Sequence, residues 1–226
     1  MDELDKKLFE AVEADDVNQI NALVEQGAYI HAINNFNETL LEKAKTAEIA
    51  ELLISNGASL VTDEGVSELF YITIPEVVEV LIAHGADVNA ECMDFDINYD
   101  YPIYGITPLF KISSTELAKL LISHGANVNA ENSVGETPLF VTPSAEIAKI
   151  LLAHGADVNA RNHHGETPLF RTSSADVAKV LLAHGADVNV VNNYGVKCSS
   201  YMNAATSTAI GYYLKKNHVH QNKKDN

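Results

Sequence analysis

The chain has 226 residues, 46% of them apolar, which is enough to bury a core in one or two compact domains or in one elongated array. Its 31 acidic against 15 basic residues give a formal net charge of −16, a field that repels nucleic-acid phosphates and anionic membranes and favours basic partners. Two distant cysteines, Cys92 and Cys198, build neither a disulfide framework nor a thiolate metal site. No run approaches the roughly 18 apolar residues of a membrane span.

In chain order, the first stretch, MDELDKKLFEAVEADD, reads as an acidic helix without the basic start and apolar core of a secretory signal. A cytoplasmic location is expected, with export by a route lacking a cleavable signal left open. A repeat then takes over. Gly-Ala pairs that end apolar helix patterns fall at Gly27, Gly57, Gly85, Gly125, Gly155 and Gly185. A second landmark, the start of GxTPLF, falls at Gly105, Gly135 and Gly165, with weaker versions at Asn37, Gly65 and Gly195. From each second landmark to the next Gly-Ala there are always 20 residues, whereas the return gaps are 10, 8, 20, 10, 10 and 10. All length variation therefore sits in one connecting segment, as expected when packed elements alternate with surface loops.

The constant segment predicts two helices. In TPLFVTPSAEIAKILLAHG, Thr137 can cap a short helix with Pro138 at its first position. Thr73 with Glu76 and Ser113 with Glu116 have capping-box spacing for the second helix, and Ser173 with Asp176 a weaker form. Ile147, Ile150 and Leu151 then make a helical apolar stripe stopped by Gly155. The variable segment, as in ADVNARNHHGE, reads as a hairpin-like finger. Such helix pairs cannot bury their apolar faces alone, so neighbours must stack.

GETPLF and EIAKILLAHGADVNA resemble ankyrin repeats, whose period is about 33 residues with a T-P-L-H-x-A signature. The resemblance implies an all-α solenoid of about seven stacked helix pairs joined by hairpin-like loops and capped at both ends. The units are about 3–27, 37–57, 65–85, 105–125, 135–155, 165–185 and 195–217, one domain over 1–217, followed by a disordered tail at 218–226. Phenylalanine replaces the family histidine at Phe70, Phe110, Phe140 and Phe170, and most units are three residues short, so first helices should be abbreviated and aromatic packing should replace polar contacts.

No catalytic signature is present: there is no phosphate loop, G-x-S-x-G, H-E-x-x-H or Cys/His pattern. His84, His124, His154 and His184 recur in register, but stacked units stand roughly 10 Å apart, too far for ligands that converge within about 2 Å of one zinc ion. Asp94, Asp96 and Asp100 lack the Gly and Glu of a calcium loop. No cofactor and no metal are expected, and the chain reads as a non-enzyme.

In binders of this family, finger tips and first helices make the contacts. The position before each landmark is Phe36, Glu64, Tyr104, Val134, His164 and Tyr194, and His163 adjoins His164. Repeated aromatics on exposed turns point to recognition. One finger, 91–104, is ten residues longer than the usual and carries Asp94, Phe95, Asp96, Tyr99, Asp100, Tyr101 and Tyr104, acidic and tyrosine-rich. The expected function is a protein-interaction module, an adaptor, scaffold or inhibitor, working as a monomer on a partner with a basic or mixed apolar-basic surface. An exported effector acting on host proteins and an assembly role through the array ends are the alternatives.

Overall fold

A computed structural model describes residues 2–62, 64–94, 101–200, 206–208 and 210–211. Most of the last unit (195–217) and all of the tail (218–226) lie outside them, as do Phe95, Asp96, Tyr99 and Asp100. The chain divides into two compact units, one holding residues 1–92 and 123–125, the other 93–122 and 126 onward.

The first unit opens with α1 (Glu3–Glu13) and α2 (Val17–Glu25), capped by Asp2 and Asp16, whose carboxylates accept the N–H of Asp5 and Gln19. Leu8, Val12, Ile20 and Leu23 form the buried faces. Asp5 is buried because its carboxylate accepts the N–H of Tyr29, tying α1 to the chain beyond α2. A short α3 (Leu40–Lys43) follows, held by a complete capping box between Thr39 and Glu42. Next come α4 (Ala47–Ser55), a single 3₁₀ turn at Glu68–Phe70 and α5 (Pro75–Ala83).

The second unit repeats one motif. Single 3₁₀ turns at Pro108–Phe110 and Pro138–Phe140, or one α-turn in α8 (Pro168–Arg171), precede nine-residue helices: α6 (Thr115–Ser123), α7 (Ala145–Ala153) and α9 (Ala175–Ala183). The first helices are thus abbreviated to about one turn, as the three-residue shortening predicts. The caps differ from the expected ones. Ser114 and Ser174, each one residue beyond the predicted Ser113 and Ser173, accept the N–H of Leu117 and Val177, and Ser144 likewise accepts that of Ile147. The Pro75 helix has no side-chain cap, so Thr73 does not serve there. Thr107, Thr137 and Thr167 have extended N-cap backbones but make no capping bond, because their hydroxyls are turned into the interior and buried.

The helix ends match the Gly-Ala landmarks. At each, the alanine N–H reaches back to a leucine carbonyl, as in Ala156 to Leu151 at 3.0 Å and Ala186 to Leu181 at 3.0 Å. This return path requires the left-handed backbone found at Gly155 (φ 90°). Two of the histidine row satisfy the same helix ends, His154 and His184 donating Nδ1–H to the Ile150 and Val180 carbonyls, both at 2.8 Å, whereas His84 Nε2 meets the Glu51 carboxylate at 2.8 Å.

Short fingers close by isolated antiparallel bridges, Ile33 with Thr39, Val61 with Ser67 and Val191 with Lys197. The long finger adds β1 (Cys92–Asp94) and β2 (Ile103–Ile106), a two-stranded sheet within an otherwise helical chain.

Candidate functional site

Within the second unit, each finger is shaped by one asparagine. The side-chain oxygen of Asn132 accepts the N–H of Val134 and Glu136; Asn162 serves His164 and Glu166; Asn192 serves Tyr194 and Val196. Each asparagine folds a tight turn and leaves its amide free to reach sideways. The amide of Asn162 donates to Glu136 and Glu166, and that of Asn192 to Glu166. Glu136 is only 1% exposed and its carboxylate also pairs with the Arg171 guanidinium at 3.2 Å. A carboxylate this deep persists because several donors replace water.

Successive tips are stitched by main-chain bonds. Ser133 N–H donates to Tyr104, His163 to Val134 and Asn193 to His164, at 2.8 to 2.9 Å. The stitching explains where the predicted site residues stand. Val134, expected as a contact residue, is 3% exposed, because a tip with neighbours on both sides is covered. It is removed from the accessible surface on that ground. His163 is exposed, and His164 is half-buried with its Nδ1 bonded to the Tyr194 hydroxyl at 2.9 Å. Tyr104 and Tyr194, at the two ends of this row, remain 56% and 69% exposed. Tyr101 and Met93 add exposed apolar surface beside Tyr104.

Asp94 pairs with Lys111 at the foot of the long finger. Beside that pair lies a cleft of about 270 Å³, walled by Ile103, Ile106, Phe110 and Val141, with Asn132 and Glu136 also lining it. In the first unit, Phe36 stands 84% exposed on a turn where Asn37 adopts φ 63°, the place glycine takes elsewhere. Asparagine tolerates that conformation better than other side chains.

The sequence reading missed Asn132, Asn162, Asn192, Glu136 and Glu166. Their signal is the recurrence of N-x-x-G-E at 132–136 and 162–166, a polar pattern that a search for apolar periodicity passes over.

The fold is thus a class of tandem-repeat protein in which helical turns alternate with bridged fingers. Residues 93–162 and 111–192 match the family model of ankyrin repeats in three copies. The fold is that of ankyrin repeats, and residues 93–192 carry the family's sequence pattern. The crystal structure of the human ASB11 ankyrin repeat domain superposes with a TM-score of 0.71 at 22% identity, covering 91% of this chain and 96% of that one. The crystal structure of the ankyrin repeat domain of Bcl-3, described as a unique member of the IkappaB protein family, gives 0.65 at 21% identity, covering 90% and 97%. No curated protein sequence matches significantly. Ankyrin repeats are in general protein–protein interaction modules. Among the described residues no helix is long and apolar enough to cross a membrane.

Proposed function

We propose that this chain is a non-catalytic interaction module that holds a partner protein along the finger edge of its second unit. The observation that carries this reading is the stitched row of tips, which fixes Tyr104 and Tyr194 as exposed, rigidly mounted aromatics. Tyrosine offers large contact area with few rotatable bonds, so little entropy is lost on binding. The Tyr194 hydroxyl is held by His164. The cleft beside the long finger supplies an apolar wall next to an ion pair, a place for one anchoring side chain of a partner with mixed apolar-basic surface.

The test compares capture from the native lysate by the intact chain and by the Tyr104→Ala/Tyr194→Ala double variant. Both side chains are exposed, so folding should be unchanged by circular dichroism. The reading expects at least a tenfold loss of the captured partner. Undiminished capture contradicts it.

A further inference from the structure

The first unit contains a second surface of different chemistry. A groove of about 480 Å³ is walled by the exposed aromatics Phe36 and Tyr71 and by the carboxylates Glu38, Glu42 and Glu64. Glu38 is already engaged, paired with Lys43 at 2.5 Å and accepting a hydrogen bond from the Asn34 amide at 2.7 Å. Among the described residues no cation pairs with Glu42 or Glu64. Behind the wall stands Glu68, at the position where the second unit has Pro108, Pro138 and Pro168. It is 1% exposed, and its Oε2 has no hydrogen-bond partner among the described residues. The hollow that Glu68 lines shares Ile33, Thr39 and Thr62 with the groove.

We infer that this groove binds a cationic side chain, an arginine or lysine presented by a partner's extended segment, stacked on Phe36 or Tyr71 and paired with Glu42 and Glu64. A cation over an aromatic face is attracted by the ring quadrupole, and flanking carboxylates add a charge-assisted bond. The electrostatics of the groove fit that occupant. Burial raises the Glu42 carboxyl and the charge of nearby Glu38 adds to it, against the Thr39 N–H and the charge of Lys43, which lower it. A cation in the groove offsets the repulsion between Glu38 and Glu42, and an acidic group would add to it. The site belongs to the first unit alone, and its test is separate from that of the tyrosine row in the second.

The full chain, labelled with ¹⁵N, is titrated with acetylated and amidated Gly-Arg-Gly, and in parallel with its citrulline counterpart, which has the same shape without the charge. Saturable shifts of the Phe36, Glu64 and Tyr71 amides are expected with arginine and not with citrulline. Glu42→Gln/Glu64→Gln should weaken binding at least fivefold; glutamine at 42 keeps the capping box intact. Phe36→Ala, at a position too exposed to affect folding, should weaken it as well. The equal charge change Glu10→Gln/Glu25→Gln, elsewhere in the same unit, should leave affinity unchanged, and so should Tyr194→Ala. Shifts spread over the acidic surface, or equal losses in the two glutamine pairs, overturn the assignment. A Gly-Lys-Gly titration tells which cation is preferred; failure of both basic peptides to shift the groove overturns it also.

Discussion

The main-chain N–H of His163 lies 2.9 Å from the carbonyl oxygen of Val134, joining one finger tip to the next. Between them Gly135 sits at φ 76°, and a methyl group there would meet the His163 ring at 2.8 Å and its backbone nitrogen at 3.1 Å. The glycine therefore does two things, turning the finger and admitting its neighbour. Gly135→Ala should cost about 1–2 kcal/mol from the backbone conformation alone, with a further loss from the clash. Urea unfolding, read by circular dichroism, checks this; an unchanged midpoint would mean that the fingers are not in close register.

Glu136 is the polar hinge between fingers. Its carboxylate meets Arg171 at 3.2 Å and the Asn162 amide at 3.5 Å. Removing one partner of a buried pair costs about 3–5 kcal/mol, and Arg171 is partly exposed, which places Glu136→Ala at the lower end. The double variant Glu136→Leu/Arg171→Met should recover part of that loss, since apolar replacements of both partners leave no charge behind. Paired unfolding curves measure the coupling.

Glu68 gives the first unit a pH dependence. Burial pushes its carboxyl up to about 7 from the usual 4.5, against a hydrogen bond with Thr39 and with help from the charge on Glu42. The folded state thus holds this proton more tightly than the unfolded chain does. The group's stabilisation is complete below about pH 4.5 and is lost as pH rises through about 7. Glu68→Gln should flatten the thermal midpoint between about pH 4.5 and 7.5 and raise it at pH 8. A wild-type midpoint that climbs over this range would contradict the assignment.

The buried hydroxyls of Thr107, Thr137 and Thr167 find no partner among the described residues. The aromatic rings of Phe110, Phe140 and Phe170, which stand where the family has histidine, pack well but offer no polar atom. An orphaned buried hydroxyl costs about 1–3 kcal/mol, so Thr137→Val, nearly isosteric, should stabilise the chain by about 1 kcal/mol. Thermal melts of the single and triple valine variants report it; destabilisation would show that water satisfies these groups.

Much of this architecture was legible in the chain. Gly155 and its equivalents announced helix ends, and the constant 20-residue segment announced paired helical turns. The caps were misplaced by one residue because adjacent hydroxyls, Ser113 and Ser114 or Ser173 and Ser174, offer the same chemistry and only the backbone path selects between them. Val134 was misjudged for a different reason. Its position before a turn glycine is the same as that of Tyr194, and exposure depends on how many neighbours a tip has, which no local pattern encodes. The groove containing Tyr71 joins residues from two successive repeats, so its members are never adjacent in sequence.

The central claim is that partner contact runs along the finger edge of the second unit, and site-specific photocrosslinking tests it most directly. Benzoylphenylalanine is placed in the full chain at position 104, 194 or 149, the last an exposed site on α7 away from the fingers. Irradiation in the native lysate should join the same polypeptide to the chain from positions 104 and 194 and not from 149. A partner that crosslinks from 149 alone would contradict the account.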